Sequence, residues 1–423
     1  MTFYCGRTPR IILLLLLVAS VSVEAQQNAP LTLAAAEDLA LIAEPGQQAL
    51  HARAAALEER AVVAGELPDL TLRVGLNNFP IESGGFRTEG MTHAAIGLRQ
   101  SFPAGKTRSI SARQFGLLAD EMNNNADTRG RDVLAAVRHA WLDLYYREQA
   151  HALVSESRPF FADLAAITLS LYSVGQKSQQ DVLRAELELS RLDDRLIDIE
   201  RQRSGALAAL GEWVGQNAAR PLARRLPAWN QVPRLEALQE MLPSHPALRA
   251  ADAQIDARSA GVNLAEQRAR PGWALDLGYS YREGLLPSGE PRSDFITLGV
   301  TVGLPFFSKK SVNGTLSAAL QERSAAKSSR ERTLRALNRQ LATEYSRWQD
   351  LTRRLALYDG RILEQAKENA AASMRAYRSD RGDFAEVMRA YVDDLNTRID
   401  HIHLQVQRAQ SYAALASLGG LPR

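Results

Sequence analysis

Four residues near position 105 resemble the end of a phosphate-binding loop. Ala104-Gly105-Lys106-Thr107 has the glycine, lysine and threonine whose backbone and side chains cradle phosphate groups. The first glycine of that motif, six residues before the lysine, is replaced by Gln100. We therefore interpret this stretch as a turn that leads from a strand into a helix.

Two histidines are the strongest candidates for metal ligands. His401 and His403 lie two residues apart on a predicted helix, so their side chains point about 200° away from each other. They cannot share a metal without another element, and we interpret them as surface histidines. Serine, histidine and acidic residues do not occur in a nucleophile-elbow pattern. The sequence predicts neither an enzyme nor a cofactor.

Two short breaks in helical sequence are more informative. Tyr172-Ser173-Val174-Gly175 is followed by Asp181, and the segment from Tyr377 to Gly382 is followed by Glu386. We expect these breaks to be the tips of two helical hairpins. The two acidic residues are expected to cap the next helix or to interact with its dipole. In an oligomer, a ring of such tips would also concentrate acidic charge around an opening.

The breaks belong to an internal repeat. Pro68 returns as Pro271, Phe102-Pro103 as Leu304-Pro305, Tyr172 as Tyr377, and Leu210-Gly211 as Leu418-Gly419. We predict a first repeat over 26–210, a linker or equatorial segment over 211–245, and a second repeat over 246–423.

Each repeat contains a predicted β-hairpin, at about 69–102 and 273–304. Leu70, Leu72, Val74 and Leu76 alternate with more polar residues, which is strand periodicity. Strands of about 10 residues can cross a bilayer in a β-barrel, although a soluble sandwich hairpin alternates equally. Because the smallest barrels have about eight strands, four strands that span a membrane require several chains.

Long helical hairpins are predicted over 104–210 and 306–418. The stretch before Tyr172 contains a single proline, Pro159, and could form a helix of roughly 100 Å. In the second repeat, apolar residues from Leu334 to Ile362 recur with the coiled-coil spacing of about 3.5 residues. The proline-rich linker is predicted to be irregular.

The N-terminus has the pattern of a secretory signal peptide over residues 1–25. Arg7 and Arg10 precede an apolar run and the small-residue pattern Val23-Glu24-Ala25. The alternative is a cytoplasmic protein in which the apolar run is a buried helix. The only cysteine, Cys5, precedes the run and would leave with the signal peptide. The net charge of +3 is dispersed along the helices, which argues against a nucleic-acid partner.

Taken together, the chain resembles the TolC-like outer membrane efflux channels from about Leu31 to Gly420. The resemblance rests on several duplicated features in the same order, which are Pro68 and Pro271, Phe102-Pro103 with Gly105-Lys106, Leu304-Pro305, and the turn Tyr172-Ser173-Val174-Gly175 with Asp181-Val182-Leu183.

The resemblance implies a mainly α protein with a small transmembrane β part. Three chains would each supply four strands to a 12-stranded outer membrane barrel, and the helices would form a periplasmic tunnel. The homotrimer would be a passive exit duct in contact with outer membrane lipid. It would receive heavy-metal cations or drugs from an inner-membrane pump of the resistance-nodulation-division type through a periplasmic adaptor. The alternatives are a periplasmic coiled-coil scaffold or adaptor, and an outer membrane duct for type I protein secretion.

The resemblance also implies a gate at the periplasmic tips, formed by Tyr172, Gly175, Asp181, Tyr377, Asp380, Asp383 and Glu386. The chain departs from the family pattern at Arg389, where a second acidic residue would stand, and at Gly382, where a gate arginine would stand. The stretch Asn77-Asn78-Phe79-Pro80 is most similar to members paired with heavy-metal pumps.

Overall fold

The structure, a computed structural model, describes residues 29–42, 44–306, 308–379 and 381–419. The predicted signal peptide, residues 1–25, lies outside the described residues. The described part is mainly helical and contains one four-stranded antiparallel sheet, which confirms the predicted fold class.

The helices and strands follow one another in the order of the two sequence repeats. The first repeat contains α1 Leu33–Ile42, α2 Pro45–Gly65, β1 Thr71–Asn77, β2 His93–Phe102, α3 Thr107–Ser173 and α4 Gln179–Val214. The short helix α5, Leu235–Met241, follows. The second repeat contains α6 Pro246–Gln267, β3 Gly272–Tyr281, β4 Phe295–Gly303, α7 Lys309–Leu357, α8 Leu363–Arg378 and α9 Phe384–Gly419.

The chain forms two compact units. One comprises the segments up to Pro45, Thr128–His245 and from Ala336 onward, and the other comprises Gly46–Asp127 and Pro246–Arg335. Each unit therefore contains segments of both sequence repeats. The sheet belongs to the second unit, and both hairpin tips belong to the first.

The sheet has the strand order β1-β2-β3-β4. The two hairpins are joined by an antiparallel ladder between β2 and β3, which runs from Ala94 opposite Tyr281 to Phe102 opposite Trp273. The rings of Phe102 and Trp273 stack with centroids 4.1 Å apart. One edge of β1 and one edge of β4 have no strand partner within the described residues.

The predicted coiled-coil stripe is buried along α7. Leu341 packs against Leu415 of α9, and Leu351 and Leu355 pack against Leu404. The stripe is apolar at steps of three and four, and its other residues, such as Leu337 and Trp348, are half-buried on the same face of the helix. None of the described helices combines the length and apolar composition that are needed to cross a membrane.

The linker is more ordered than expected. Its prediction as an irregular segment is wrong for residues 211–219, which form the end of α4 and a 3₁₀ helix, Gly215–Ala219. It is also wrong for residues 235–244, which form α5 and a 3₁₀ turn, Leu242–Ser244. Leu238 and Leu242 are fully buried beside Leu341 and Leu415. The burial of these leucines stabilises a helix that is too short to be stable alone.

The junction between β2 and α3 is a tight turn, as predicted. Gly105 has a φ of +53°, a conformation that glycine adopts without steric cost. The side-chain carbonyl of Gln267 accepts a hydrogen bond from the Lys106 backbone N–H at 3.1 Å. A Cβ at position 105 would collide with this carbonyl, so the turn requires glycine.

Polar contacts inside an apolar core hold the N-terminal segment around Leu31 and α1 in the first unit. Trp141 donates from Nε1 to the backbone carbonyl of Leu31 at 3.0 Å. Arg138 of α3 and Glu37 of α1 form an ion pair at 2.6 Å, and their side chains are only 4% and 3% exposed. The Arg138 guanidinium also lies 5.5 Å from the centre of the Trp229 ring.

Candidate functional site

The first tip is the turn between α3 and α4. Gly175 has a φ of +75° and donates to the carbonyl of Tyr172 at 2.9 Å, while Gln176 donates to the carbonyl of Leu171 at 2.9 Å. This pair of bonds is the Schellman motif, which ends a helix on a left-handed glycine. Gly175 therefore has a conformational role in the turn, and Tyr172 is 43% exposed beside it.

Asp181 caps the helix that follows the first tip. Its backbone N–H donates to the Ser178 hydroxyl at 3.3 Å, and its carboxylate accepts from the Ser178 hydroxyl at 2.9 Å and from the Ser178 backbone N–H at 3.3 Å. This reciprocal capping box satisfies two backbone N–H groups at the start of α4, those of Ser178 and Asp181. The capping role predicted for Asp181 is confirmed.

The second tip, between α8 and α9, repeats this design with different residues. The backbone N–H of Arg381 donates to the carbonyl of Ala376 at 2.9 Å. This bond spans five residues, as does the bond from Gln176 to Leu171 in the first tip. Asp383 precedes α9, and its carboxylate accepts from the Ala385 N–H at 3.3 Å. Glu386 is exposed in the first turn of α9. Asp380 lies outside the described residues.

The two repeat-related tyrosines differ in burial. Tyr377 is 8% exposed, compared with 43% for Tyr172, and its ring lies 5.6 Å from that of Phe384. The ammonium group of Lys177, from the first tip, lies 4.5 Å from the centre of the Tyr377 ring. The contact has the geometry of a cation–π interaction and joins the two tips within one chain. Sequence reasoning missed Lys177, although its position between Gly175 and Ser178 marks it as a tip residue.

A cleft of about 710 Å³ lies beside this contact. Its walls are apolar residues of α3 and α8 together with charged residues, namely Phe160, Leu164, Ile167, Leu171, Met374, Tyr377, Asp163, Lys177 and Arg378. The tips also carry basic residues besides the predicted acidic ones, since Lys177, Arg378 and Arg381 lie close to Asp181, Asp383 and Glu386 in the sequence.

Polar contacts join the helices behind the tips. Arg158 of α3 and Asp193 of α4 form an ion pair at 2.5 Å. The hydrogen bond from Arg158 holds the pKa of the Asp193 carboxyl below its ordinary value. Arg195 of α4 donates to the side-chain carbonyl of Asn396 of α9 at 2.7 Å. The first hairpin is thus linked to the second within the same unit.

Gly382 is held against the end of α8. A Cβ at this position would lie 3.0 Å from the Tyr377 backbone nitrogen and 3.1 Å from the Ala376 Cβ. These atoms belong to a helix end and cannot move aside as a flexible side chain would. The turn therefore has no room for the arginine that the family pattern places here.

Replacing Gly382 by alanine is expected to lower the free energy of unfolding by about 1–3 kcal/mol, because the added methyl group overpacks the turn. Thermal unfolding and limited proteolysis of the purified protein would measure the loss, with new cleavage at the second tip. Gly205→Ala is the matched control. No atom would lie within 4 Å of the added Cβ at this exposed helical position. The control substitution should therefore raise the free energy of unfolding by about 0.5–1 kcal/mol. Equal behaviour of the two variants would contradict the packing argument.

The sheet provides a second candidate surface, with two chemically different faces. On one face, the register aligns Val74, Ile96 and Tyr279 in one row and Leu98, Leu277 and Leu298 in another. These side chains are 44–72% exposed. The other face carries polar and small residues, such as Thr71, Gly97, Ser280 and Thr301. A contiguous exposed apolar face of this kind requires an apolar environment or a partner.

The two histidines do not share a site. His401 lies 2.8 Å from the Asp359 carboxylate and its side chain is 16% exposed, so it is less superficial than predicted. His403 stacks on Tyr146 at 4.7 Å, and burial lowers the pKa of its imidazole. Among the described residues, no group of three or more His, Cys, Asp or Glu side chains could hold a metal ion.

Comparison with known structures identifies the fold. The outer-membrane channel OprN superposes with a TM-score of 0.77 at 19% identity, over 92% of this chain and 90% of that chain. The outer membrane protein VceC from Vibrio cholerae gives a TM-score of 0.76 at 16% identity, over 92% and 96% of the two chains. The chain thus has the fold of outer membrane channels, a class with long helices and a small β part.

Residues 237–421 match the family model described as outer membrane efflux protein. Protein CyaE of Bordetella pertussis is 26% identical over 418 residues, which is 93% of this chain and 85% of that protein. The second half of the chain thus matches the outer membrane efflux protein family, and the resemblance seen in the sequence is confirmed. Both matches agree with the outer membrane location that the resemblance implies.

Proposed function

We propose that the protein is the outer membrane exit duct of a tripartite efflux system. The observation that carries the proposal is the sheet, whose apolar face is exposed along all four strands and whose outer edges are open. Four strands are too few to close a barrel. Three copies joined edge to edge would supply 12 strands, remove every open edge and present a continuous apolar band to lipid.

The partners follow from this role. The duct would bind a periplasmic adaptor and receive its cargo from an inner-membrane pump, with the resistance-nodulation-division type as our proposal. Heavy-metal cations or drugs are the cargo expected from the sequence. Transport through the duct needs no catalytic step, since the pump supplies the driving force.

The oligomeric state tests the proposal directly. Extraction of the outer membrane fraction with detergent should yield a particle with the mass of three chains. Efflux lost in a deletion strain should return with the full chain and not with a form in which both β-hairpins are replaced by short loops. A monomer that stays in solution without detergent would instead favour the periplasmic scaffold. The exposed apolar face is difficult to reconcile with that alternative.

The tips would be the periplasmic gate of this duct. Tyr172, Gly175, Asp181, Tyr377, Asp380, Asp383 and Glu386 remain the proposed gate residues, and we add Lys177. The contact between Lys177 and Tyr377 connects the turn of one hairpin to the turn of the other, so it opposes their separation. Opening would separate the two tips. The adaptor would bind the open state more tightly than the closed state, and its binding would therefore shift the gate toward the open state.

Replacing Lys177 by glutamine is therefore expected to favour opening. Cation–π contacts contribute about 0.5 kcal/mol at exposed sites and about 2 kcal/mol when desolvated. Because Lys177 is half-buried and Tyr377 is buried, the ratio of open to closed channels should rise by roughly two- to thirtyfold. Single-channel recording in planar bilayers would measure the open probability. Lys327→Gln, which removes an exposed charge from α7, is the matched control. An unchanged open probability in the Lys177 variant would exclude this contact from the gate.

A further inference from the structure

The charged residues of the sheet lie on one face. The four strands contain three such residues, which are Arg73 of β1, Arg99 of β2 and Asp276 of β3. The register places all three on the face opposite the exposed leucines, isoleucines and valines. This polar face therefore carries charged residues as well as neutral polar ones.

Two of the three charges neutralise each other. Arg99 and Asp276 are direct register partners, and their side chains form an ion pair at 3.7 Å. The Thr301 hydroxyl donates to the same carboxylate at 2.9 Å, which fixes its position. Arg73 pairs in register with Gly97 and makes no ion pair with any described residue. The strands of each chain thus carry one uncompensated positive charge.

Small residues surround Arg73 and leave its side chain in an open depression. Gly97 and Gly278 continue its row across the sheet, and Gly75 and Ala95 form the next row. Gly97, Gly278 and Ala95 line a hollow of about 300 Å³ on the polar face, together with Arg73 and the ion pair of Arg99 and Asp276. The guanidinium group is exposed, so water and solutes in the hollow can reach it.

We propose that this polar face lines the aqueous path through the sheet, and that Arg73 makes this section of the path favour anions. The inference rests on the proposed exit duct and specifies its cargo. Each copy of the chain adds one positive charge to the lining, which raises the local concentration of anionic solutes and lowers that of cations. The cargo class that fits is a solute with an exposed negative group, rather than the metal cations expected from the sequence.

Adjacent alanines on β2 provide a matched pair of probes. Ala95 faces Gly75 and Ser280 on the polar face, whereas Ala94 faces Leu76 and Tyr281 on the apolar face. Each is replaced by cysteine in a Cys5→Ser background, and the protein is reconstituted in liposomes. Reaction rates are measured with an anionic and a cationic methanethiosulfonate reagent of similar size. Each rate is divided by the rate at which the same reagent reacts with a small thiol in solution.

The cysteine at position 95 should react with both charged reagents and prefer the anionic one. Arg73 is its diagonal cross-strand neighbour, at about 7–8 Å. At low ionic strength, Arg73→Gln should therefore lower the ratio of anionic to cationic rates by about fivefold. Arg73→Lys should keep the ratio, which separates loss of charge from misfolding. Arg224→Gln, which removes an exposed arginine from the linker, should also leave it unchanged.

Two failures can be distinguished. If the ratio at position 95 is the same with arginine and with glutamine at position 73, the proposed anion preference is overturned while the duct stands. If position 95 is no more reactive with charged reagents than position 94, the polar face does not line water. That second result would contradict the proposed duct itself.

Discussion

Replacing Arg138 by leucine is expected to lower the free energy of unfolding by about 3–5 kcal/mol, because the change leaves the Glu37 carboxylate buried without its guanidinium partner. The two side chains are almost fully buried, and their distance of 2.6 Å is that of a charge-assisted hydrogen bond. The variant also loses the contact of the guanidinium with the Trp229 ring. Thermal or chemical unfolding of the purified protein in detergent would measure the loss.

The exposed pair between Arg335 and Glu331 provides the control. These side chains are 78% and 50% exposed, and pairs of this kind contribute little. Arg335→Leu should therefore leave the unfolding midpoint nearly unchanged. The double variant Glu37→Leu with Arg138→Leu should recover much of the stability lost in the single variant, because the buried carboxylate is removed together with the guanidinium. A single Arg138 variant as stable as the Arg335 variant would rule out an energetic role for the buried pair.

Replacing Leu298 by arginine is expected to abolish assembly in the outer membrane. Leu298 is 72% exposed on the apolar face of the sheet, opposite Leu277. An arginine on the lipid face of a barrel costs about 2–4 kcal/mol near the middle of the bilayer, and a trimer would contain three of them. Membrane fractionation and gel analysis of unheated samples would show the loss of the trimer, together with the loss of efflux.

Thr297→Arg is the matched control, since Thr297 is the preceding residue of β4 and lies opposite Gly278 on the polar face. This variant should assemble normally, because its charge would face water. Equal tolerance of the two arginines would show that lipid does not cover the apolar face. Loss of assembly in both arginine variants would indicate that β4 accepts no arginine on either face. In that case, Leu298→Ala must retain assembly if Leu298 faces lipid.

Local periodicity made most of the fold predictable. The alternation from Leu70 to Leu76 predicted β1, and the steps of three and four from Leu334 to Ile362 predicted the buried stripe of α7. Such patterns repeat over many residues, so one exception does not obscure them. Pro159 is such an exception, because α3 continues through it. α5 was missed because two buried leucines, Leu238 and Leu242, determine it, and a sequence of seven residues shows no periodicity.

The proposed gate was predictable in position and less so in its contacts. The helix breaks marked both tips, and Ser178 three residues before Asp181 is a recognisable capping pattern. The contact between Lys177 and Tyr377 joins residues 200 positions apart, and no local pattern reports such a pair. The sequence also contained no sign that Tyr172 is exposed while Tyr377 is buried, because this difference arises from packing against Phe384 and neighbouring residues.

The strand order of the sheet has a consequence for biogenesis. Its central ladder pairs Phe102 with Trp273, and 170 residues of the chain lie between these two partners. Bringing such distant segments together costs loop-closure entropy before any pairing energy is gained, and this slows folding. In the proposed outer membrane duct, the first hairpin has an unpaired edge on β2 and an uncovered apolar face until the second half of the chain arrives, and these features promote aggregation. The newly exported chain should therefore depend on periplasmic chaperones until β3 arrives.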